Sequence, residues 1–404
     1  MRDSLTRAFR GLPATFWALF AGTFVMALAT FVFPFLALFL RSRGYTVEET
    51  GLLVALYGAG SIPSGPLAGW LSDRVGRRPT LLGALLLAAA LTALLPFLET
   101  PALIVAGTLG LGLASSAYYP SSSAMVSDIV PPQRYGDVFG LMYWERNVGI
   151  AVSFALGGTL AVYGYERLFL ADAVTTLLFA GLVFLKIPET RPVSAARHPA
   201  DAKPPPARGW TAVLADRPFC LLMAIQTTFA LGLFQFMVAL PVVMSGKGLS
   251  PGEYGFAMAL NGTLIALLSP FVGRLTERRE AGHVLALAAL FVAAGYGSYA
   301  FCSTALHYAL ATAVWTVGEI LSLPTISALV AALSPEDLRG RYQGLFSLSF
   351  GVSMALAPAI GGAVVERRGA DALWAGVVAV CLLAAVAHLV AGRARRRAAA
   401  VVPG

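Results

Sequence analysis

Long apolar runs alternate with short charged breaks along the whole chain. Runs with few or no charges fall near residues 12–40, 49–71, 80–98, 101–128, 138–162, 167–186, 218–244, 253–273, 283–302, 305–333, 342–365 and 372–391. Each matches the roughly 20 residues a helix needs to cross the hydrocarbon of a bilayer, where every backbone polar group must be satisfied internally. The pattern therefore predicts an all-α membrane protein with twelve transmembrane helices. The first run, Leu12 to Leu40, holds no charge over 29 residues. It would extend about 44 Å at 1.5 Å per residue, too long for a cleaved leader and enough to cross with curvature near Pro34.

One polar interruption is long. Lys186 to Asp216 contains Lys203-Pro204-Pro205-Pro206 and too little apolar surface to fold alone. It divides the chain into an N-terminal half at 1–185, a linker at 186–216 and a C-terminal half at 217–404. Twelve spans place both termini on one side, and the loops on that side should carry the basic excess. The terminal and even-numbered loops hold 22 Lys and Arg against six in the odd-numbered ones, with Arg146 inside a span. Both termini and the linker are expected in the cytoplasm, and the inner (plasma) membrane is the expected location.

Composition narrows the class. Only 12% of residues are charged and mean hydropathy is +0.74, whereas a soluble domain carries roughly a quarter charged residues. The net charge of +8 sits in loops rather than on one basic face, so a lipid bilayer is expected as partner and nucleic acid is not. Cys220, Cys302 and Cys381 lie in separate apolar runs, and His198, His283, His307 and His388 are scattered. That spacing predicts no metal, cofactor or disulfide. No phosphate loop, His-Glu-x-x-His or Gly-x-Ser-x-Gly occurs, so neither an enzyme nor an ATP-driven pump is expected.

An internal repeat appears at one gapless shift of 204 residues. It superposes Gly44 on Gly248, Glu49 on Glu253, Gly51 on Gly255, Gly58 on Gly262, Pro66 on Pro270, Pro120 on Pro324, Pro131 on Pro335 and Gly157-Gly158 on Gly361-Gly362. Glycine and proline dominate because they fix close helix contacts, kinks and turns. Two six-helix halves sharing one fold are expected.

After the second run the chain reads Gly69-Trp70-Leu71-Ser72-Asp73-Arg74-Val75-Gly76-Arg77-Arg78-Pro79. This resembles the signature loop of the major facilitator superfamily, Gly-x-Leu-x-Asp-Arg-x-Gly-Arg-Arg/Lys, with a reduced copy at Gly273-Arg274-Leu275-Thr276-Glu277-Arg278. Tyr143-Trp144, Asn147, Gly149 and Gly157-Gly158, with Trp315, Gly318-Glu319 and Pro324, resemble bacterial drug/proton antiporters. The resemblance departs at two places: Thr108 stands where an Arg is expected in the fourth span, and Ser153-Phe154 replaces Gly-Pro in the fifth. It implies a secondary transporter working by alternating access, with a small-molecule substrate and protons as partners, as a monomer. It also implies a gate built from Asp73, Arg74, Arg77 and Asp128.

Charges inside spans need a partner or a wet cavity, since each costs about 2.5–3.5 kcal/mol at the bilayer centre. Glu319 lies near the middle of the tenth span, and Glu145 and Arg146 lie inside the fifth. Their repeat partners are Ser115, Ser349 and Phe350, so the fold does not demand these charges. Glu319, Glu145 and Arg146 are the candidate proton-coupling residues. A neutral buried Glu319, and a structural ion pair for the other two, stay open. Adjacent helical residues diverge by about 100°, so Arg146 is expected to pair with a carboxylate of another helix rather than with Glu145.

The resemblance implies a cavity lined by spans one, four, seven and ten. Its candidate residues are Phe24 and Phe31, Ser115, Tyr118 and Tyr119, Gln226, Phe234 and Gln235, and Trp315. Soft aromatic walls with few hydrogen-bonding groups suit amphiphilic, drug-like molecules. A carrier for a native metabolite such as a sugar, amino acid or lipid-like compound is the alternative. A non-transporting sensor of the same fold is a further one.

Overall fold

The structure is a computed structural model that describes residues 11–190, 209–276, 279–335 and 338–401. All regular structure in them is helical: α1 (Ala14–Leu28), α2 (Val32–Ser42), α3 (Val47–Ser61), α4 (Ser64–Arg74), α5 (Arg77–Leu94), α6 (Pro101–Ile129), α7 (Tyr135–Leu160), α8 (Tyr165–Lys186), α9 (Trp210–Ala215), α10 (Arg217–Leu233), α11 (Ala239–Gly246), α12 (Pro251–Thr276), α13 (Ala281–Ser298), α14 (Ala305–Leu333), α15 (Arg339–Arg368) and α16 (Ala370–Val401). Ten stretches among the described residues are long and apolar enough to cross a membrane: α1 with α2, α3 with α4, α5, α6, α8, α10 with α11, α13, α14, α15 and α16. Of the twelve expected spans, the long helices α7 and α12 stand outside that set, and α7 carries Asp137, Glu145 and Arg146. The linker from residue 191 to 208, Glu277 and Arg278, and the side chains of Gly273 to Leu275 and of Arg395 to Arg397, lie outside the described residues.

Local chemistry sets the helix ends. α3 and α12 each start with a reciprocal capping box, in which an N-cap hydroxyl and a glutamate three residues later satisfy two stranded N–H groups. At α3 the Thr46 N–H donates to Glu49 Oε2 (2.8 Å) and the Glu49 N–H to Thr46 Oγ1 (3.2 Å). At α12, Ser250 and Glu253 do the same at 2.8 and 3.3 Å. Helices α6, α14 and α15 stay continuous through internal prolines at Pro120, Pro324 and Pro358.

The described chain groups into two compact units, residues 1–39 with 56–202 and residues 40–55 with 203–404. The first is centred on α1, α5, α6, α7 and α8, where Phe16, Leu19, Leu81, Leu85, Met125, Val126, Val138, Phe179 and Val183 share one buried cluster. The second packs α13 against α14 and α16. Tyr296, Tyr299, Tyr308, Trp315 and Trp374 interlock there with ring centroids 5.3–5.9 Å apart. Three of the five polar tips are paired: Trp315 Nε1 donates to Tyr299 Oη (2.7 Å), which also bonds Thr312 Oγ1 (2.7 Å), and Tyr296 Oη donates to Leu233 O, while Tyr308 Oη and Trp374 Nε1 have no hydrogen-bond partner among the described residues.

Candidate functional site

Polar chemistry concentrates at four places, two in each unit. The first is the loop joining α4 to α5. Gly76 stands at φ 122°, a conformation that side chains other than glycine rarely adopt, and a Cβ there would fall 2.5 Å from Glu189 Oε2. The turn lets α5 begin at Arg77, whose guanidinium bridges Asp73 (2.8 Å) on α4 and Asp128 (3.2 Å) at the end of α6. Thr190 Oγ1 also donates to Asp128 (3.2 Å). The stranded N–H groups of Arg77 and Arg78 donate to the Glu189 carboxylate at 2.9 and 3.2 Å. A carboxylate at a helix N-terminus meets both the unpaired donors and the positive end of the helix dipole. Of the four gating candidates, Asp73, Arg77 and Asp128 come together. The Arg74 guanidinium lies over the Trp70 ring at 4.6 Å.

The second place lies inside the first unit. Glu145 is 1% exposed on α7 and faces Thr23 of α1, and its Oε1 has no hydrogen-bond partner among the described residues. Arg146 turns to another side, as adjacent helical residues must. Among the described residues it makes no ion pair, and its guanidinium sits 5.2 Å over the Tyr119 ring with Tyr118, Tyr57 and Tyr143 around it. The expected interhelical carboxylate is therefore replaced by aromatic faces, whose quadrupoles attract a guanidinium. Tyr57 in turn lies beside Ser115.

The third place lies inside the second unit. Glu319 is half-buried at the midpoint of α14. The Asn261 amide, 7% exposed on α12, donates to Glu319 Oε2 (2.8 Å) and to Thr316 Oγ1 (3.0 Å). Both amide hydrogens are thus committed, and they fix the orientation of the carboxylate.

The fourth place is where α3 starts against the end of α15. Arg367 grips Glu48 through both Nε (3.1 Å) and Nη2, and Glu366 Oε2 accepts the Val47 N–H (2.9 Å). Gly51 and Gly362 let the two backbones touch: a Cβ on Gly51 would sit 2.4 Å from Pro358 O, and one on Gly362 would sit 2.6 Å from Val47 O.

The cavity candidates separate by environment. Phe31, Gln226, Gln235 and Trp315 are at most 3% exposed and take part in helix packing. Gln235, for instance, donates to the Leu231 and Ala357 carbonyls at 3.1 and 3.2 Å. Phe24, Ser115, Tyr118 and Phe234 are half-buried, and Tyr119 is exposed. Sequence reasoning missed Asp172, Glu189, Asn261 and the Glu48/Arg367 pair. Asp172 was visible as a carboxylate inside the sixth run, and Asn261 as the repeat partner of Tyr57. The other three sit at run ends, where a charge is unremarkable without the contact.

The family model of the Major Facilitator Superfamily matches residues 18–321 and 224–403. The chain is similar to a Na(+), Li(+), K(+)/H(+) antiporter of Planococcus maritimus, 27% identical over 81% of this chain and 84% of that one. It is also similar to the multidrug resistance protein MdtH of Aeromonas salmonicida, 24% identical over 88% of each. Among solved structures, a nucleoside transporter, NupG, shares the fold with TM-score 0.76 at 13% identity, over 93% of this chain and 99% of that one. With the signature loop assembled around Arg77 and the family model covering nearly its whole length, the chain belongs to the Major Facilitator Superfamily and is a multi-pass membrane transporter.

Proposed function

We propose that this transporter exports small amphiphilic or drug-like molecules in exchange for protons by alternating access. One observation carries the reading: Glu319 is the single carboxylate of α14, stands at its midpoint, and is held there by an amide from another helix. A carboxylate so placed can accept and release a proton, and a fixed amide donor stabilises it when ionised. Glu145, buried with one oxygen unpaired among the described residues, is the second candidate proton carrier, with Arg146 the fixed charge beside it. The rings of Tyr118, Tyr119 and Phe234 offer soft surface to amphiphilic cargo. The names of the relatives, one a cation/proton antiporter and one a multidrug resistance protein, favour the same chemistry.

The scaffold we infer is twelve helices in two repeated halves, 1–185 and 217–404, with α7 and α12 also crossing and both termini cytoplasmic. The capping boxes at Thr46 and Ser250 are 204 residues apart, as are the positive-φ turns at Gly44 (88°) and Gly248 (82°). Asn261 and Glu319 are the repeat partners of Tyr57 and Ser115, which also lie side by side. In this reading the Arg77 cluster is a gate at the cytoplasmic end, and the Glu48/Arg367 pair is a latch at the other.

The test is ethidium transport in everted membrane vesicles energised by a pH gradient. The proposal expects accumulation that collapses with nigericin. Energy-independent movement, or none across a panel of cationic and neutral amphiphiles while a sugar or amino acid is moved, would favour the metabolite carrier instead.

A further inference from the structure

The span formed by α1 and α2 is broken, and the parts that build the break have no place in the coupling scheme above. Pro34 has no N–H, so the Thr30 carbonyl loses the donor it would have in a continuous helix. α1 stops at Leu28 and α2 resumes at Val32. The N–H groups of Phe31 and Val32 would otherwise donate to Ala27 and Leu28, four residues back. Once the helix breaks, the Val32 donor and the Thr30 acceptor are stranded within a span, where water cannot take them up, and the Phe31 N–H keeps only a tight-turn bond to Ala29 O (2.9 Å).

Side chains from two other helices take them up instead. A single oxygen, Oδ2 of Asp172 on α8, accepts the N–H of Val32 (2.9 Å) and that of Phe31 (2.8 Å), the latter shared with Ala29 O. On the acceptor side, Ser153 Oγ on α7 donates to Thr30 O (2.7 Å). Ser153 is one of the two residues found where the drug/proton antiporters have Gly-Pro, so the departure has a structural use here. Asp172 is 6% exposed, and it lies near Tyr57, the ring that also neighbours Arg146.

We infer that Asp172 is a positioning residue of transport. It caps the start of α2, holds the break open, and so fixes where Phe33 of α2 stands against Tyr57 (ring centroids 5.6 Å), the ring beside Arg146. The inference rests on the transport reading above. It carries a sharp consequence: because one oxygen accepts both bonds, the oxygen of an asparagine amide can do the same, so the negative charge is dispensable. A proton carrier at this position would behave in the opposite way.

Three variants in proteoliposomes test this, each read by hydrogen exchange of the segment 29–36 and by pH-gradient-driven ethidium transport. Asp172→Asn should keep both exchange and transport within about twofold of the parent. Asp172→Leu should speed exchange at least tenfold and abolish transport. Adding Pro34→Ala to Asp172→Leu lets the helix close and supply its own acceptors, so exchange and folding should recover while transport stays at least tenfold down. Loss of gradient-driven transport in Asp172→Asn with exchange still slow would make Asp172 a proton carrier and overturn the inference. Full transport in the Pro34→Ala/Asp172→Leu pair would show that the break is not needed. Failure of that pair to fold would show that Asp172 does more than cap. Should the parent protein not move ethidium, the exchange arms still decide the cap, and the transport reading alone fails.

Discussion

Replacing Gly76 by alanine should strike the signature loop twice, and the two effects can be separated. The first is local: a φ of 122° is costly for any residue with a Cβ, about 1–3 kcal/mol. The second is transmitted: the new Cβ would lie 2.5 Å from Glu189 Oε2, so the carboxylate must withdraw from the N–H groups of Arg77 and Arg78. Loss of a helix cap costs about 0.5–2 kcal/mol, and for an exposed glutamate the lower half of that range applies, about 1 kcal/mol. Glu189→Ala alone should therefore cost about 1 kcal/mol and Gly76→Ala about 3 kcal/mol. The double variant should also cost about 3 kcal/mol, because the cap is already gone. Reversible unfolding of the purified protein in mixed detergent–SDS micelles measures all three. The expected coupling is about 1 kcal/mol; additivity within about 0.3 kcal/mol would refute the claim that Glu189 caps α5 through the space Gly76 leaves.

Three further outcomes are expected. Asn261→Leu leaves the Thr316 hydroxyl and the Glu319 carboxylate without their shared donor, so thermal unfolding should show a loss of about 1–3 kcal/mol and transport should slow. Glu48→Arg or Arg367→Glu alone should impair transport at equal expression, whereas the two together should restore a large part of it, since the swap remakes the pair. Asp73→Asn should cut turnover at least tenfold while leaving the protein folded in the membrane. Normal turnover in Asp73→Asn at equal expression would remove the gate from the account.

The sequence was most informative where single-residue chemistry repeats. Hydropathy marked the long helices because a lipid-embedded backbone leaves no other choice, and the loop from Gly69 to Pro79 was readable because every position has a task. Asp73, Arg77 and Asp128, which the resemblance of the loop implied as partners, meet in the structure. Contacts between distant segments were not readable. Nothing near Arg146 announces that it will be held by Tyr119 and its neighbours instead of by a carboxylate, since cation–π contact leaves no spacing rule. Pro34 signalled curvature, but not that Ser153 and Asp172 would complete a break more than a hundred residues away in sequence. Trp315 looked like a cavity wall because of its type and span, yet its indole is used up by Tyr299 and the stacked Phe236 ring at 6.0 Å.

The most direct test of proton coupling is Glu319→Gln in sealed proteoliposomes of one orientation, comparing ethidium transport driven by an imposed pH gradient with ethidium counterflow at equal pH. The account predicts that gradient-driven accumulation disappears while counterflow persists, because glutamine keeps the Asn261 contact but cannot carry the proton. Accumulation at the parental rate in that variant would contradict the account, and would pass the role to Glu145.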